Sequence, residues 1–211
     1  MTDPGTRKLT KPNLETLGRR HIEDTVRIHL QGFPSFFLSF LGPRFLREFY
    51  SSFLADPVGM GFVASDSAKQ VIGVVVGSVD PRGYFTRLLR RRWWAFCLAC
   101  AGAVARRPSC VPRLFRAVRY RGDAPSGPVR ALLSSIVVSP AAQGRGVGKL
   151  LMRVWVEEAR RRGASGCYLA TDADNNDAVN GVYLSLDWKL ESTYTTPEGR
   201  KMNRYVYDFD H

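Results

Sequence analysis

Residues 139–151 read SPAAQGRGVGKLL and carry glycines at positions 144, 146 and 148. The apolar run ALLSSIVV (131–138) comes directly before this stretch, and an amphipathic pattern of helical period follows it. The sequence therefore predicts a buried strand, a glycine turn and a helix. Glycines let the unpaired N–H groups of a helix's first turn approach a phosphate, and Arg145 and Lys149 add positive charge. This arrangement predicts an anion site, although tight packing of the strand on the helix explains the glycines equally well.

Two common nucleotide-binding loops do not fit these residues. The P-loop pattern GxxxxGK[ST] is absent, and GRGVG lacks the GxGxxG spacing of the dinucleotide fingerprint. No strand–helix–strand unit begins the chain, as a dinucleotide-binding fold requires. The glycine turn therefore calls for another interpretation.

A second motif follows the glycine turn, and both motifs resemble those of one family. The loop QGRGVG (143–148) matches the pattern (Q/R)-x-x-G-x-(G/A) of the GNAT superfamily of N-acetyltransferases. The segment NDAVNGVYLSLDW (176–188) resembles the signature N-x-x-A-x-x-x-Y-x-x-x-G-F, with Asn176 and Tyr183 at the matching distance. It departs in that Ala178 stands one place early, Asp187 replaces the glycine and Trp188 replaces the phenylalanine. Because two motifs in register are more specific than either alone, the chain is identified as a member of this superfamily.

The resemblance implies acetyl-coenzyme A as co-substrate and gives each matching residue a role. Backbone groups of Ile136, Val137 and Val138 would bind the pantetheine arm, with one N–H near Val138 facing the thioester oxygen. Tyr183 would be the general acid that protonates the leaving thiolate, and Asn176 would contact the pantetheine or phosphate arm. The pyrophosphate would lie on the loop residues Gln143, Gly144, Arg145, Gly146, Val147, Gly148 and Lys149. Taken by themselves, the strand side chains also read as buried core and Tyr183 as a packed helix residue.

The general base is not identified by the sequence. The strand ALLSSIVV has no acidic residue, where many relatives of the superfamily carry one. The candidates are His29, Asp80, Asp172 and Asp174, and a water-relayed base is a further alternative. An ordinary surface or capping role is more common for a histidine such as His29.

The predicted fold is α/β, with a GNAT-like, mixed and mostly antiparallel seven-stranded sheet flanked by helices. A flexible tail at 1–12 precedes a single acetyltransferase domain at 13–211. Strands are predicted at 14–17, 61–65, 71–79, 129–138, 166–171, 189–195 and 202–209, and helices at 21–31, 43–54, 147–163 and 175–186. The resemblance implies a V-shaped opening between the strands at 129–138 and 166–171, which the pantetheine fills.

An arginine-rich helical insert at 82–127 separates the third and fourth predicted strands. Residues 82–121 hold eleven arginines and no acid, which leaves 20 basic and 19 acidic residues in the rest of the chain. Nearly all of the net charge of +12 therefore belongs to this segment. Three alternatives are a helical lid, an anionic membrane surface or lipid-linked substrate bound by arginine and tryptophan, and nucleic acid bound by arginine. The long apolar stretch of the insert favours lipid over nucleic acid.

Composition limits the class of protein. A hydrophobic content of 45% and a charged content of 24% are ordinary for a globular domain. No signal peptide and no apolar run of roughly 20 residues is evident. Four cysteines without a disulfide framework predict a cytoplasmic protein, with peripheral association at the membrane as an alternative. Cys97 and Cys100 lack further ligands nearby, so we expect two small buried residues on a helix and no metal.

The predicted function is direct transfer of acetyl from acetyl-CoA to a primary amine, for example an amino sugar or a lipid-linked acceptor. One alternative is an N-acetyltransferase that acts on a ribosomal or other protein. The other is a nucleic-acid-binding module that merely retains the fold.

Overall fold

A seven-stranded mixed sheet with strand order β1-β2-β3-β4-β5-β7-β6 organises the protein. The computed structural model describes residues 12–34, 36–106, 108 and 130–209. The strands are β1 (Asn13–Thr16), β2 (Gly59–Ser65), β3 (Val71–Ser78), β4 (Ala131–Val138), β5 (Gly166–Asp172), β6 (Lys189–Thr195) and β7 (Lys201–Asp208). Strands β4 and β5 run parallel, and every other neighbouring pair is antiparallel. The predicted fold class is confirmed, whereas residues 1–11 of the predicted tail lie outside the described residues.

Helices cover both faces of this sheet. They are α1 (Ile22–Gly32), α2 (Phe37–Leu41), α3 (Pro43–Ala55), α4 (Tyr84–Arg106), α5 (Val147–Arg161) and α6 (Asp177–Leu184). One buried apolar cluster joins α1 and α3 to Val74 of the sheet, and a second joins α5 and α6 to Val75. Successive strand residues point to opposite faces, so neighbouring valines serve the two clusters. The short helix α2 was not predicted, because the sequence indicated only a break after α1.

A β-bulge in β4 decides which of its side chains face which cluster. Ser135 pairs with Val76 of β3, but the next paired residue of β4 is Leu133, so Ser134 is the extra residue. Before the bulge Leu133 belongs to the α5 cluster, and after it Val137 belongs to the α1 cluster. A single inserted residue inverts the side-chain alternation of a strand. The bulge therefore turns Ser135 toward α1 and α3.

The predicted opening between β4 and β5 is present. The two strands pair at two positions, Ala131 with Cys167 and Leu132 with Tyr168. Beyond Leu132 the ladder ends, although both strands continue to Val138 and Asp172. The opening therefore starts just before the bulge and extends toward the glycine loop that follows β4.

The described part of the insert is the helix α4, which is kinked at Arg92 (φ −134°, ψ 18°) and packs on α2 and α3. Its predicted helical character is confirmed for residues 84–106, and residues 107 and 109–129 lie outside the described residues. Cys100 is buried, but the expectation of a buried Cys97 is wrong, because α4 exposes that residue. None of the described helices is long and apolar enough to span a bilayer.

Two arginines of α4 form ion pairs with acidic residues. Arg87 pairs with Asp56 at 3.1 Å, and Arg92 pairs with Glu48 at 2.9 Å. These pairs fasten α4 to α3 and to the residue that follows it. The segment's positive charge is therefore partly compensated by acids that the sequence places far away.

Candidate active site

A cavity of about 550 Å³ passes through the opening between β4 and β5. Residues 133–138 of β4 and 169–172 of β5 border it, beyond the point where their ladder ends. It also reaches Met152 on the α5 side of the sheet and His29 on the α1 side, so it joins the two faces. The cavity contacts these predicted site residues: Ile136, Val137, Val138, Gln143, Gly144, Gly146, Val147, Gly148, Lys149, Asn176 and Tyr183. Arg145 is the predicted site residue that does not border it.

The glycine loop forms one wall of the cavity. Gly144 and Gly146 have φ angles of +73° and +77°, a conformation that side-chain-bearing residues rarely adopt. A Cβ atom at either position would meet nothing within 4 Å, so the loop surface is open. Gly146 is the N-cap of α5, and the amides of residues 144–149 make no hydrogen bond within the described chain. The loop thus presents unpaired donors and the positive end of a helix dipole.

Tyr183 lies at the cavity from the α5 side of the sheet. Its side chain is buried, and Thr171 at the end of β5 borders the same cavity. Burial is the main cause that raises the pKa of Tyr183 to about 12, so the phenol is protonated at neutral pH.

Asn176 supports the same region in a way that the sequence did not indicate. It occupies the N-cap position of α6, but its side chain does not cap the helix. Instead Nδ2 donates to Thr171 Oγ1 at 2.9 Å and to the Asp172 carbonyl at 3.0 Å. Asn176 therefore anchors α6 to the end of β5.

His29 borders the cavity from the α1 side. It is 1% exposed, and its Nδ1 lies 2.7 Å from the hydroxyl of Tyr50. That hydroxyl lies 3.4 Å from Ser135 Oγ, the side chain that the bulge turns to this face. Burial lowers the pKa of His29 to about 4, so the imidazole is neutral at pH 7. The interpretation of His29 as a surface or capping residue is wrong.

An ion pair closes another part of the cavity wall. Arg200, at the β6–β7 hairpin, donates from Nη2 to both carboxylate oxygens of Asp172 at 2.7 Å. Its guanidinium also lies 5.3 Å from the ring centre of Phe36, which precedes α2. The three side chains join the hairpin, the end of β5 and the segment after α1 around the cavity.

The other two candidates for the base do not reach the cavity. Asp80 accepts from the Arg82 amide at 3.1 Å in the turn after β3. Asp174 is exposed beyond the end of β5. His29 and Asp172 are therefore the candidates that the fold brings to the cavity.

Several cavity residues were missed at the level of sequence. Phe33, Phe36 and Leu38 border the cavity because α1 ends near β4, and Arg200 does so because β7 returns beside β5. The positions of these residues at the cavity depend on tertiary contacts, so no local sequence pattern predicts them. Ser134 and Ser135 did carry a signal, because two hydroxyls interrupt an otherwise apolar strand.

The residues present fit acetyl-coenzyme A. The open amides of the glycine loop suit a pyrophosphate, and the apolar walls of β4 and β5 suit the narrow pantetheine arm. Across the described residues, no group of three or more His, Cys, Asp or Glu side chains could hold a metal ion.

Comparison with protein families assigns the chain. The model of the acetyltransferase (GNAT) family matches residues 25–188, which is well over half of the sequence. The chain therefore belongs to the GNAT family of N-acetyltransferases.

Individual relatives are similar over different extents. Mycothiol acetyltransferase of Renibacterium salmoninarum is 36% identical over 69 residues, which span 31% of this chain and 20% of that relative. The ribosomal-protein-S18-alanine N-acetyltransferase of Escherichia coli has a TM-score of 0.60 and 15% identity, covering 95% of this chain and 96% of that chain. A Bacillus anthracis protein provisionally described as a streptothricin acetyltransferase, solved with acetyl coenzyme A, has a TM-score of 0.50 and 15% identity over 76% and 68% of the two chains. The structural likenesses show the shared fold.

Proposed function

We propose that the protein is an acetyl-CoA-dependent N-acetyltransferase that moves the acetyl group directly to a primary amine. One observation carries the proposal: a single cavity contacts the glycine loop, the gap in the sheet and the hydroxyl-bearing residue Tyr183. Direct transfer requires acetyl-CoA and the amine to be bound at the same time. The cavity can hold both, because it reaches both faces of the sheet. The amine then enters from the α1 side and the thioester from the α5 side.

The glycine loop binds the pyrophosphate of acetyl-CoA. The amides of residues 144–148 donate to its oxygens, and the dipole of α5 stabilises its negative charge. Lys149 borders the cavity and adds a cation there, while Arg145 acts from the outer side of the loop. The pantetheine arm follows the edge of β4, where the backbone of residues 136–138 has no partner in β5.

Tyr183 donates a proton to the sulfur when the carbon–sulfur bond breaks. A buried phenol is a weak acid, but the same burial also makes a released thiolate a stronger base. Removal from water raises the pKa of the phenol and of the thiol alike, so proton transfer from Tyr183 to the sulfur remains feasible.

The acceptor classes to be tested follow from the relatives and from the sequence. The names of the relatives refer to mycothiol and to an alanine of ribosomal protein S18. The sequence adds amino sugars and lipid-linked amines, the latter because of the insert. A primary amine is the feature that the protein acceptor and the amino sugars share.

The test is thiol release from acetyl-CoA in the presence of pooled amines. The pools contain amino sugars, peptides that begin with alanine and lipid-linked amines. We expect one pool to raise thiol release well above the rate without amine, with an acetylated product of matching mass. If no pool does so while acetyl-CoA still stabilises the protein thermally, the proposed transfer to amines is wrong.

We infer in addition that α4 brings the protein to an anionic membrane surface. Trp93, Trp94 and Leu98 are 61%, 54% and 65% exposed, and Arg90 and Arg91 beside them are also exposed. Aromatic and basic side chains on one helix suit the headgroup region of an anionic bilayer. Contact with a membrane would place a lipid-linked acceptor near α2, which lies between α4 and the cavity.

A further inference from the structure

The apolar cluster beneath α1 and α3 contains a chain of polar side chains that leads to the cavity. His29 Nδ1 and Tyr50 Oη lie 2.7 Å apart, and the Tyr50 hydroxyl continues to Ser135 Oγ at 3.4 Å. His29 is 1% exposed and Tyr50 is 0% exposed, so water does not replace these contacts. Polar groups at this depth are unfavourable unless they are hydrogen-bonded, and an all-apolar cluster would avoid them.

The second ring nitrogen of His29 is the unsatisfied member of this chain. Nε2 is buried and has no hydrogen-bond partner among the described residues. His29 borders the cavity, and Nδ1 is already engaged with Tyr50. Nε2 is therefore the nitrogen that is left for a molecule in the cavity.

We propose that His29 is a catalytic base on the acceptor side, with Nε2 taking the proton that the attacking amine loses. The inference rests on the proposed function and assigns the step for which the sequence left several candidates open. In its neutral form with the proton on Nδ1, the ring donates to Tyr50 Oη and presents a bare Nε2. Tyr50 in turn donates to Ser135, so both hydroxyls and the ring hold one another in this arrangement.

The proton balance of the step is complete. The amine nitrogen forms a bond to the acetyl carbon, the carbon–sulfur bond breaks, and the sulfur receives the proton of Tyr183. The nitrogen loses one proton to His29 Nε2, and the resulting imidazolium keeps its Nδ1 proton in the hydrogen bond to Tyr50 Oη. After the products leave, Nε2 returns its proton to the solvent of the cavity and Tyr183 takes one up there, so both groups regain their starting forms.

The surroundings of His29 favour the neutral ring. Strands β3 and β4, which pack against α1, carry no ionisable side chain. On α3 the titratable neighbour is Tyr50, while Arg47 and Glu48 are paired with Glu23 and Arg92. Burial alone lowers the pKa of the ring, so it is not protonated before the amine arrives.

Asp172 is the rival base at the cavity, and its contacts make it a poor one. Both of its carboxylate oxygens accept hydrogen bonds of 2.7 Å from Arg200. The guanidinium therefore occupies both carboxylate oxygens, and neither is free to face an amine in the cavity. His29 has no such competitor at Nε2.

The first test reads the protonation of the ring directly, without turnover. Nitrogen-15 NMR of the imidazole at pH 7 is expected to show a neutral ring with the proton on Nδ1 and none on Nε2. Tyr50→Phe should shift the proton toward Nε2, because the hydrogen bond that fixes the tautomer is lost. A ring protonated on Nε2 in the native protein overturns the proposal.

The second test is kinetic. His29→Gln should lower kcat by at least about 100-fold, the usual contribution of a general base, with thermal stabilisation by acetyl-CoA retained. His21→Gln is the matched control, because His21 is also buried but does not border the cavity. Its Nδ1 accepts a hydrogen bond of 3.0 Å from the Gly18 amide. If His29→Gln fails to fold, His29→Asn with added imidazole replaces it, and imidazole should restore turnover.

The outcomes separate the base assignment from the proposed function. An unchanged kcat in folded His29→Gln overturns the role of His29, whatever the acceptor. No acetyl transfer by the native protein would instead contradict the proposed function, and the NMR result would still decide whether Nε2 is bare.

Discussion

Arg200 donates through Nη2 to both carboxylate oxygens of Asp172 at 2.7 Å and thereby ties the β6–β7 hairpin to the end of β5. Both side chains are partly exposed, so the pair itself adds at most about 1 kcal/mol to the stability of the fold. Its main consequence is positional, because the hairpin forms part of the cavity wall near Phe36.

Asp172→Asn should therefore raise the KM of the acceptor several-fold and leave acetyl-CoA affinity nearly unchanged. The reason is that the freed hairpin no longer shapes the acceptor side of the cavity. Asp208→Asn is the matched control, since Arg130 holds Asp208 with bonds of 3.0 and 2.7 Å at a site that does not border the cavity. Equal effects of both variants on the KM of the acceptor would contradict the positional role.

Gly146→Val should abolish thermal stabilisation by acetyl-CoA. The side chain would force the N-cap of α5 out of φ +77° and cover the open amides. Gly163→Val controls for backbone strain, because Gly163 follows the same helix with φ +82° and also has open space around it. Both variants should lose similar intrinsic stability, and only Gly146→Val should lose the response to acetyl-CoA. A retained response would place the pyrophosphate elsewhere.

Tyr183→Phe should lower kcat strongly with little change in acetyl-CoA affinity, since proton donation is made only in the transition state. Tyr205→Phe is the control, because its ring lies 5.3 Å from that of Tyr183 yet does not border the cavity. Steady-state kinetics with the cognate amine would distinguish the two. An unchanged kcat for Tyr183→Phe would make Tyr183 a packing residue.

Folding stability should decrease as the pH is lowered from about 6.5 toward 4. The pKa of His29 falls from 6.5 to about 4 on folding, so in this range the unfolded chain binds a proton that the folded chain does not. The stabilisation is complete above the unfolded pKa and is lost as the pH falls, by roughly 3 kcal/mol at most. Urea midpoints between pH 7 and 4.5 measure it, and His29→Gln should flatten the dependence. The same slope in that variant would show that another group is responsible.

The protein should float with anionic liposomes and not with neutral ones. Exposed arginines near an anionic bilayer contribute roughly 1 kcal/mol each, and the tryptophans of α4 add apolar anchoring. Replacing Trp93 and Trp94 by alanine should abolish flotation. Replacing Leu184 and Leu190, which are 56% and 50% exposed elsewhere, should not. Binding to RNA in a filter assay without binding to liposomes would contradict the membrane proposal.

The sequence predicted the sheet and the glycine loop because both depend on local patterns. The periodicity around β4 and α5 and the spacing of Asn176 and Tyr183 required no knowledge of distant contacts. The acceptor side could not be predicted, since His29, Tyr50 and Ser135 meet only when α1 and α3 pack on the sheet. The same holds for Asp172 and Arg200, which β7 brings together by returning beside β5.

Ser134, the extra residue of the bulge in β4, lies close to the point where β4 separates from β5 and the cavity passes through the sheet. If Ser134 were deleted, Leu133 and Ser135 would become neighbours along the strand. They would then still point to opposite faces of the sheet, as they do now. The hydrophobic pattern of β4 would survive, but the local bend where the strand parts from β5 would be lost. In β4, the one extra residue therefore coincides with the start of the passage through the sheet.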